Sequence, residues 1–521
     1  MKRIVLSVLS LCLVTNLAMA SEGEYLVRLR QAPNSAAEAT QTVQSKLGIV
    51  GAKVEILNAA EGLVKVSLPK AKRAQQSLDA LSASPEVVSV AKNHYYTPAI
   101  HYAFRDTVRN AMEAQGLDIS TLLSSQNSSI LTTPVAAPAI PAVQLPSGQV
   151  SPGADPRFAD DWAMHAIHLD QVQNLKGDAG FTAAIIDTGV DYNHEDLIDA
   201  MWRDPANPHV VGMDFAHNTT TPFDVVHMDF DHCGTSIGCM TGSKQEEFLS
   251  NPGHGTHCGG HIAAVAGNSK GIRGVGAGVK LMALKMFYDF NDVDATGVSV
   301  AGQGDDGAAV KAIDYAIAHG ARVISASWGG YEAKADAEAS ELKSAIVRAQ
   351  QAGVIMVIAA GNGNSLGIGQ DQDSITQPDY PAAFNLDNMI VVAATDSNDA
   401  LAKFSNYGAT SVHIGAPGVK ILSTVVGNQY NDIVGTLQIG GPVLGPILGP
   451  ILGVPAVTVD WDGTSMATPI VAGGVALVWS QHPSENYHQI RDRILRTARQ
   501  VPSLAGKVSS GGILDVAAAV Q

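Results

Sequence analysis

Five short apolar runs constrain what this chain can fold into. "FTAAIID" (181–187), "VKLMALKMF" (279–287), "ARVISAS" (321–327), "GVIMVIAAGN" (353–362) and "MIVVAAT" (389–395) are rich in Val and Ile and bounded by turn residues. They are continuous rather than alternating, the mark of strands buried on both faces. Between them lie helical segments such as "GAAVKAIDYAIAHG" and "AEASELKSAIVRAQQAG", the second ending at Gly353, where a left-handed residue closes a helix. Repeated β-α-β units predict an α/β fold with an open parallel sheet. Its site should lie at the carboxyl ends of the strands.

The 521 residues leave room for more than this one unit. Lys2 and Arg3 precede an apolar run ending in Ala18-Met19-Ala20, so residues 1–20 read as a secretion signal, too short to span a bilayer. Residues 21–98 read as a small α+β unit, in which strand-like "EYLVRL", "GLVKVSL" and "EVVSVAKNHYY" alternate with helical stretches. Residues 99–155, Pro-rich from Thr132 on, read as a linker. Charge divides along the same boundary. Residues 1–98 carry 11 Lys+Arg against 7 Asp+Glu, a net +4, which leaves −20 of the total −16 for residues 99–521. An acidic body argues against nucleic acid as a partner, and the change of sign predicts a basic segment docked on an acidic one. Removal of the signal leaves Cys233, Cys239 and Cys258. In an oxidising compartment Cys233 and Cys239 could close "CGTSIGC" for about 2 kcal/mol, with Cys258 the odd thiol.

Three motifs carry chemistry. In "AAIIDTGVD" a buried strand delivers Asp187 to a Gly-containing turn, as an orienting acid requires, although many surface turns have the same form. In "NPGHGTHCGGHIAAV" a helix starts near His254 and puts an imidazole at its mouth. His254, His257 or Cys258, and His261 could alternatively present zinc ligands on one helical face, but the glutamate of an HExxH site is missing. In "DGTSMATPIVAGGVALV" Ser465 stands between a Gly turn and a helix, where unpaired N–H donors can hold an oxyanion. The plainer reading is that Thr464 or Ser465 only caps that helix.

Taken together, the three motifs resemble those of the subtilisin-like serine proteases, from about Asp155 to the closing "GGILDVAAAV". The order Asp, His, Ser is the one known for subtilisin itself. The resemblance implies a three-layer α/β/α catalytic domain over 156–521 and a serine endopeptidase. Its nucleophile would be Ser465, its general base His254 and its orienting acid Asp187, with Asn362 of "AAGNGN" and the Ser465 N–H as oxyanion donors. Ser327, Trp328 and Gly329 on one side, with Ala360 and Gly361 on the other, would line the primary specificity pocket. These two segments contain no Asp or Glu, which predicts an apolar or broad P1 preference. Residues 21–98 resemble the inhibitory propeptide of such enzymes, with "SPEVVSVAKNHYYTP" in the cleft. The implied protein is a secreted, self-processed, monomeric enzyme acting on proteins or peptides. A catalytically idle binding protein on the same fold is the rival reading.

Several features depart from the family pattern. Cys258-Gly259-Gly260-His261 follows the second histidine where relatives have Val or Cys and then Ala-Gly-Thr. Cys258 resembles the free thiol beneath the catalytic histidine of proteinase K relatives, and His261 reads as a satisfied structural residue. No cofactor is implied for the chemistry. Asp196 and Asn268 match calcium-binding positions and suggest one structural calcium ion, and Asp229 and Asp231 lie in a loop that could hold a cation. "GPVLGPILGPILG" (441–453) has Gly every fourth residue and three prolines, which excludes collagen and a membrane helix. It reads as a loop insertion, either an apolar flap or a rim of the substrate cleft.

Overall fold

The computed structural model describes residues 20–46, 51–68, 81–98, 139–147, 152–226, 251–289, 292, 302–364, 367–437 and 457–521. Residues 1–19, Cys233 and Cys239, Asp229 and Asp231, and the 441–453 repeat lie outside them. Among the described residues no helix is long and apolar enough to cross a membrane.

The five apolar runs form five neighbouring strands of one sheet. They are β5 (Thr182–Asp187), β7 (Lys280–Lys285), β9 (Ala321–Ala326), β11 (Ile355–Ala359) and β13 (Met389–Thr395). With β6 (Gly212–Asp214), β14 (Ile414–Pro417), β19 (Arg499–Gln500) and β20 (Gly512–Ile513) the sheet has nine strands. Their order is β19-β20-β14-β13-β11-β9-β5-β7-β6, and only the β19–β20 pair is antiparallel. Helices α2 (His254–Ala263) and α5 (Thr464–Gln481) pack together on the sheet. Helices α3 (Asp306–Ala318) and α4 (Glu341–Gln351) form a second packed pair, giving the three-layer arrangement. Strands β5, β9 and β11 end on one side of the sheet, so their following loops converge there.

The N-terminal residues form a separate apolar cluster around Val27, Val43, Val64 and Leu81. Strands β1 (Ala20–Leu29), β2 (Lys53–Asn58), β3 (Leu63–Ser67) and β4 (Val87–Pro98) pair in the antiparallel order β4-β1-β3-β2, with α1 (Ala36–Gln41) beside them. Strand β4 is the joint to the rest of the molecule. It pairs with β8 (Gly304–Asp305) through Tyr95–Asp305 and Tyr96–Gly304, and with β10 (Trp328–Tyr331) through Thr97–Gly329 and Pro98–Trp328. Charge complementarity accompanies the pairing: Arg28 meets Glu341, Lys65 meets Asp305, and Lys92 meets Asp336.

Of the stretch read as linker, residues 139–147 are held against the body. Prolines cannot donate to a sheet, but the carbonyls here accept bonds from Tyr192 Oη (Pro141, 2.6 Å) and Asn193 Nδ2 (Ala142, 2.9 Å). The inserted repeat lies between β17 (Ile433–Leu437) and β18 (Val457–Asp460), which pair as a hairpin. That hairpin is a two-stranded sheet of its own, outside the nine-stranded one.

Candidate active site

Strand β5 is buried along its whole length and ends at Asp187, whose side chain is 1% exposed. Its Oδ1 accepts the Thr188 N–H at 2.7 Å and meets His254 Nδ1 at 2.7 Å. Burial works against charge on the imidazole, but the Asp187 carboxylate outweighs it and holds the His254 pKa well above the ordinary value. Gly255 permits the approach. A Cβ there would lie 2.0 Å from the Gly189 carbonyl and 3.1 Å from Asp187 Oδ1.

His254 is the first residue of α2, and its helix begins without a capping side chain at Gly253. The orphan amides are satisfied from elsewhere. Asn251 Oδ1 accepts the Gly253 and His254 N–H groups, Thr188 Oγ1 accepts Gly255 N–H at 2.8 Å, and Asp224 Oδ2 accepts Thr256 N–H at 2.8 Å. Asp224 is fully buried. It also accepts Thr256 Oγ1 (2.6 Å), Thr188 Oγ1 (2.8 Å) and Asn251 Nδ2 (2.6 Å). This carboxylate at a helix N-terminus locks the mouth of α2 in place. The sequence reading missed Asp224, because it lies 30 residues before His254 in an unremarkable "FDVV".

Ser465 is the second residue of α5. Four positions on, Pro469 has no N–H to return to the Ser465 carbonyl, so that carbonyl is released from the helix ladder. It accepts Ser327 Oγ at 3.0 Å and Cys258 Sγ at 3.4 Å instead. One proline thus ties β9, α2 and α5 together at the serine. The Cys258 sulfur is buried, 3.9 and 4.0 Å from the two ring nitrogens of His254, and burial pushes its thiol pKa up. Ser465 Oγ itself donates to the Ser327 carbonyl at 3.0 Å. Asn362 Oδ1 accepts both the N–H and the hydroxyl of Thr464 at 2.9 Å, which fixes the amide beside the start of α5.

The two segments expected to line a pocket lie next to this cluster. Trp328 contributes only its backbone, since its indole is buried and donates to the Ile186 carbonyl at 2.9 Å. Gly329 and Gly361 face a side chain from a third segment, Asp379, at the start of β12 (Asp379–Tyr380). A carboxyl from outside therefore borders the two segments, which themselves contain no Asp or Glu.

The alternative histidine face does not converge. His257 stacks on Trp461 at 4.1 Å and donates Nε2–H to the Ile421 carbonyl at 2.9 Å. His261 is buried edge-on to His257, and neither of its ring nitrogens has a partner among the described residues. The partners expected of a satisfied residue are therefore missing among the described residues, and burial holds the ring neutral with a pKa of about 3. Asp196 and Asn268 do come together, Asn268 Nδ2 donating to Asp196 Oδ1 at 2.6 Å. Asp155 is adjacent and accepts the Gly267 and Asn268 N–H groups. Burial raises the Asp196 pKa to about 6, against the bonds it accepts from Asn268 Nδ2 and the Ile272 N–H.

The arrangement is an imidazole oriented by a buried carboxylate beside a serine at a helix N-terminus, with amide donors close by. Such a group of side chains can run nucleophilic acyl transfer. The model of the subtilase family matches residues 178–511. Thermitase from Thermoactinomyces vulgaris is 31% identical over 368 residues, covering 70% of this chain and 98% of that protein. Subtilisin DY from Bacillus licheniformis is 31% identical over 353 residues, 67% of this chain and 94% of that protein. Among solved structures, fervidolysin from Fervidobacterium pennivorans, a keratinolytic enzyme related to subtilisin, has a TM-score of 0.60 at 24% identity. That likeness of fold spans 98% of this chain and 62% of the fervidolysin chain.

Proposed function

The chain belongs to the subtilase family of serine endopeptidases, and from that premise we propose that Asp187, His254 and Ser465 are its catalytic triad. The observation that carries this reading is the 2.7 Å contact between His254 Nδ1 and Asp187 Oδ1, both fully buried, on a helix packed against the serine's own. Ser465 Oγ attacks the scissile carbonyl carbon and passes its proton to His254 Nε2, and Asp187 stabilises the imidazolium that results. The tetrahedral oxyanion is held by the Ser465 N–H and the Asn362 amide. Collapse expels the amine, which takes the proton from His254 and leaves an acyl-enzyme for water to hydrolyse. In the resting state the Ser465 hydrogen is directed at the Ser327 carbonyl, so substrate binding must redirect it. The chemistry draws on side chains and backbone alone.

An extended substrate would add a strand along the edge of β10. Strand β4 pairs with that edge at Thr97–Gly329, which supports reading residues 21–98 as an inhibitory propeptide removed by self-cleavage beyond Pro98. The leader and the +4 charge of residues 1–98 fit an exported preproprotein. Asp155, Asp196 and Asn268 carry carboxyl and amide oxygens that one structural calcium ion would take, with Asn268 turning from the Nδ2 bond it makes to Asp196. A fluorophosphonate probe tests the triad: it should label Ser465, mapped by peptide mass, and fail to label a His254→Ala variant. Equal labelling of both would reject the role of His254.

A further inference from the structure

The segments around Gly329 and Gly361 are joined by a third one that no motif announced. Asp379 pairs with Tyr331 across the β10–β12 ladder, and its backbone N–H is held by Gln372 Oε1 at 2.6 Å. Its carboxyl enters the slot between the two glycines. A Cβ on Gly329 would lie 2.1 Å from Asp379 Oδ1, and a Cβ on Gly361 would lie 2.4 Å from Asp379 Oδ2. The carboxyl occupies space a side chain at either position would need, and Gly361 also takes a positive φ of 90°. The residue is 5% exposed, and Oδ1 is buried without a hydrogen-bond partner. Among the described residues no Lys, Arg or His pairs with it. Burial therefore raises its pKa well above the carboxylate range, opposed only by a bond from the Gly330 N–H. A buried carboxyl oxygen without a donor is costly, and a cationic group brought to it would supply that donor and favour the charged form of the carboxyl.

We propose that Asp379 is the specificity-determining residue of the primary pocket and that the enzyme cleaves after lysine and arginine. This rests on the reading of Ser327–Gly329 and Ala360–Gly361 as the pocket walls. A long cationic side chain would approach from the mouth of the pocket and bring the missing charge to Oδ1, the carboxyl keeping its place between the two glycines. Apolar P1 residues would leave that oxygen desolvated and unpaired, which disfavours them.

The test uses peptide para-nitroanilides differing only at P1, hydrolysed by the mature enzyme and by Asp379→Asn and Asp379→Ser. The wild type should favour Lys or Arg over Leu or Phe by at least about 10-fold in kcat/KM, and either substitution should lower that ratio about 100-fold. A wild-type ratio near one or below, or a ratio unmoved by both substitutions, overturns the proposal. Binding of para-aminobenzamidine, read by its fluorescence, separates this failure from failure of the triad. It needs the pocket but no nucleophile, and it should be lost in Asp379→Asn whether or not Ser465 reacts with a fluorophosphonate; undiminished binding to the variant counts against Asp379.

Discussion

Replacing Asp224 tests whether the mouth of the His254 helix is held by a buried anion. Four donors converge on its two oxygens, at 2.6 to 2.8 Å. In Asp224→Ala the hydroxyls of Thr188 and Thr256 can rotate to other acceptors. The Thr256 N–H cannot, and an unpaired buried donor costs about 1–3 kcal/mol, whereas Asn251 Nδ2 keeps its bond to the Val225 carbonyl. With the loss of an anion at a helix N-terminus the total is about 3 kcal/mol. At roughly 2–4 °C per kcal/mol for a domain of this size, the melting temperature should fall by about 10 °C. Asp224→Asn keeps one oxygen and should lose about half as much. The comparison belongs in a Ser465→Ala background, so that self-digestion does not set the apparent midpoint, at one fixed scan rate. In the active background kcat should fall as well, because His254 moves with the helix start. Midpoints within about 2 °C of the parent for both variants, with kcat unchanged, would refute the reasoning.

Four further outcomes follow from the same geometry. Asp187→Asn should lower kcat by about 10,000-fold with little effect on KM, through the wrong imidazole tautomer. Because Asp187 raises the His254 pKa, and the base must be neutral, the acid limb of the wild-type kcat/KM profile should rise at a pH above the ordinary imidazole value. An inflection at or below that value contradicts the assignment. His94 is buried between Asp306 (3.0 Å) and Glu332 (3.1 Å), with Asp336 also near. Burial lowers its pKa, but these carboxylates more than offset that and raise it. Its contribution is therefore fully present below the unfolded value of about 6.5 and is lost as pH rises through the higher folded value. Amide exchange of β4, corrected for intrinsic rates, should lose protection at alkaline pH in Ser465→Ala and lose that pH dependence in His94→Gln. Mercurials should inactivate the enzyme slowly, through the buried Cys258 against the His254 ring, and Cys258→Ala should resist them; equal sensitivity of both proteins would place the reactive group elsewhere.

The central strands, and the places of Asp187 at a strand end and of His254 and Ser465 at helix starts, were legible in the sequence because each depends on local pattern: a buried apolar run, a Gly turn, a helix start. What escaped was long-range. Asp379 sits in "QPDYPAAF", outside both segments it adjoins, and only the β10–β12 pairing brings it to Gly329 and Gly361. Two glycines facing one another across a slot were the available signal, but glycine in a sequence does not say what fills its missing side chain. Asp224 was hidden for a similar reason, since a helix cap borrowed from a distant loop leaves no mark at the helix's own N-cap. Pro469 is the converse case. It stood in plain view within the serine motif, and its effect on the Ser465 carbonyl follows from position alone once the helix is known to begin at Thr464.

The most direct test is casein hydrolysis by the purified full-length protein and its Ser465→Ala variant, with a gel following the N-terminal unit. The account predicts activity and a released fragment for the wild type, and an inactive precursor of full size for the variant. Casein hydrolysis that survives the substitution would contradict it.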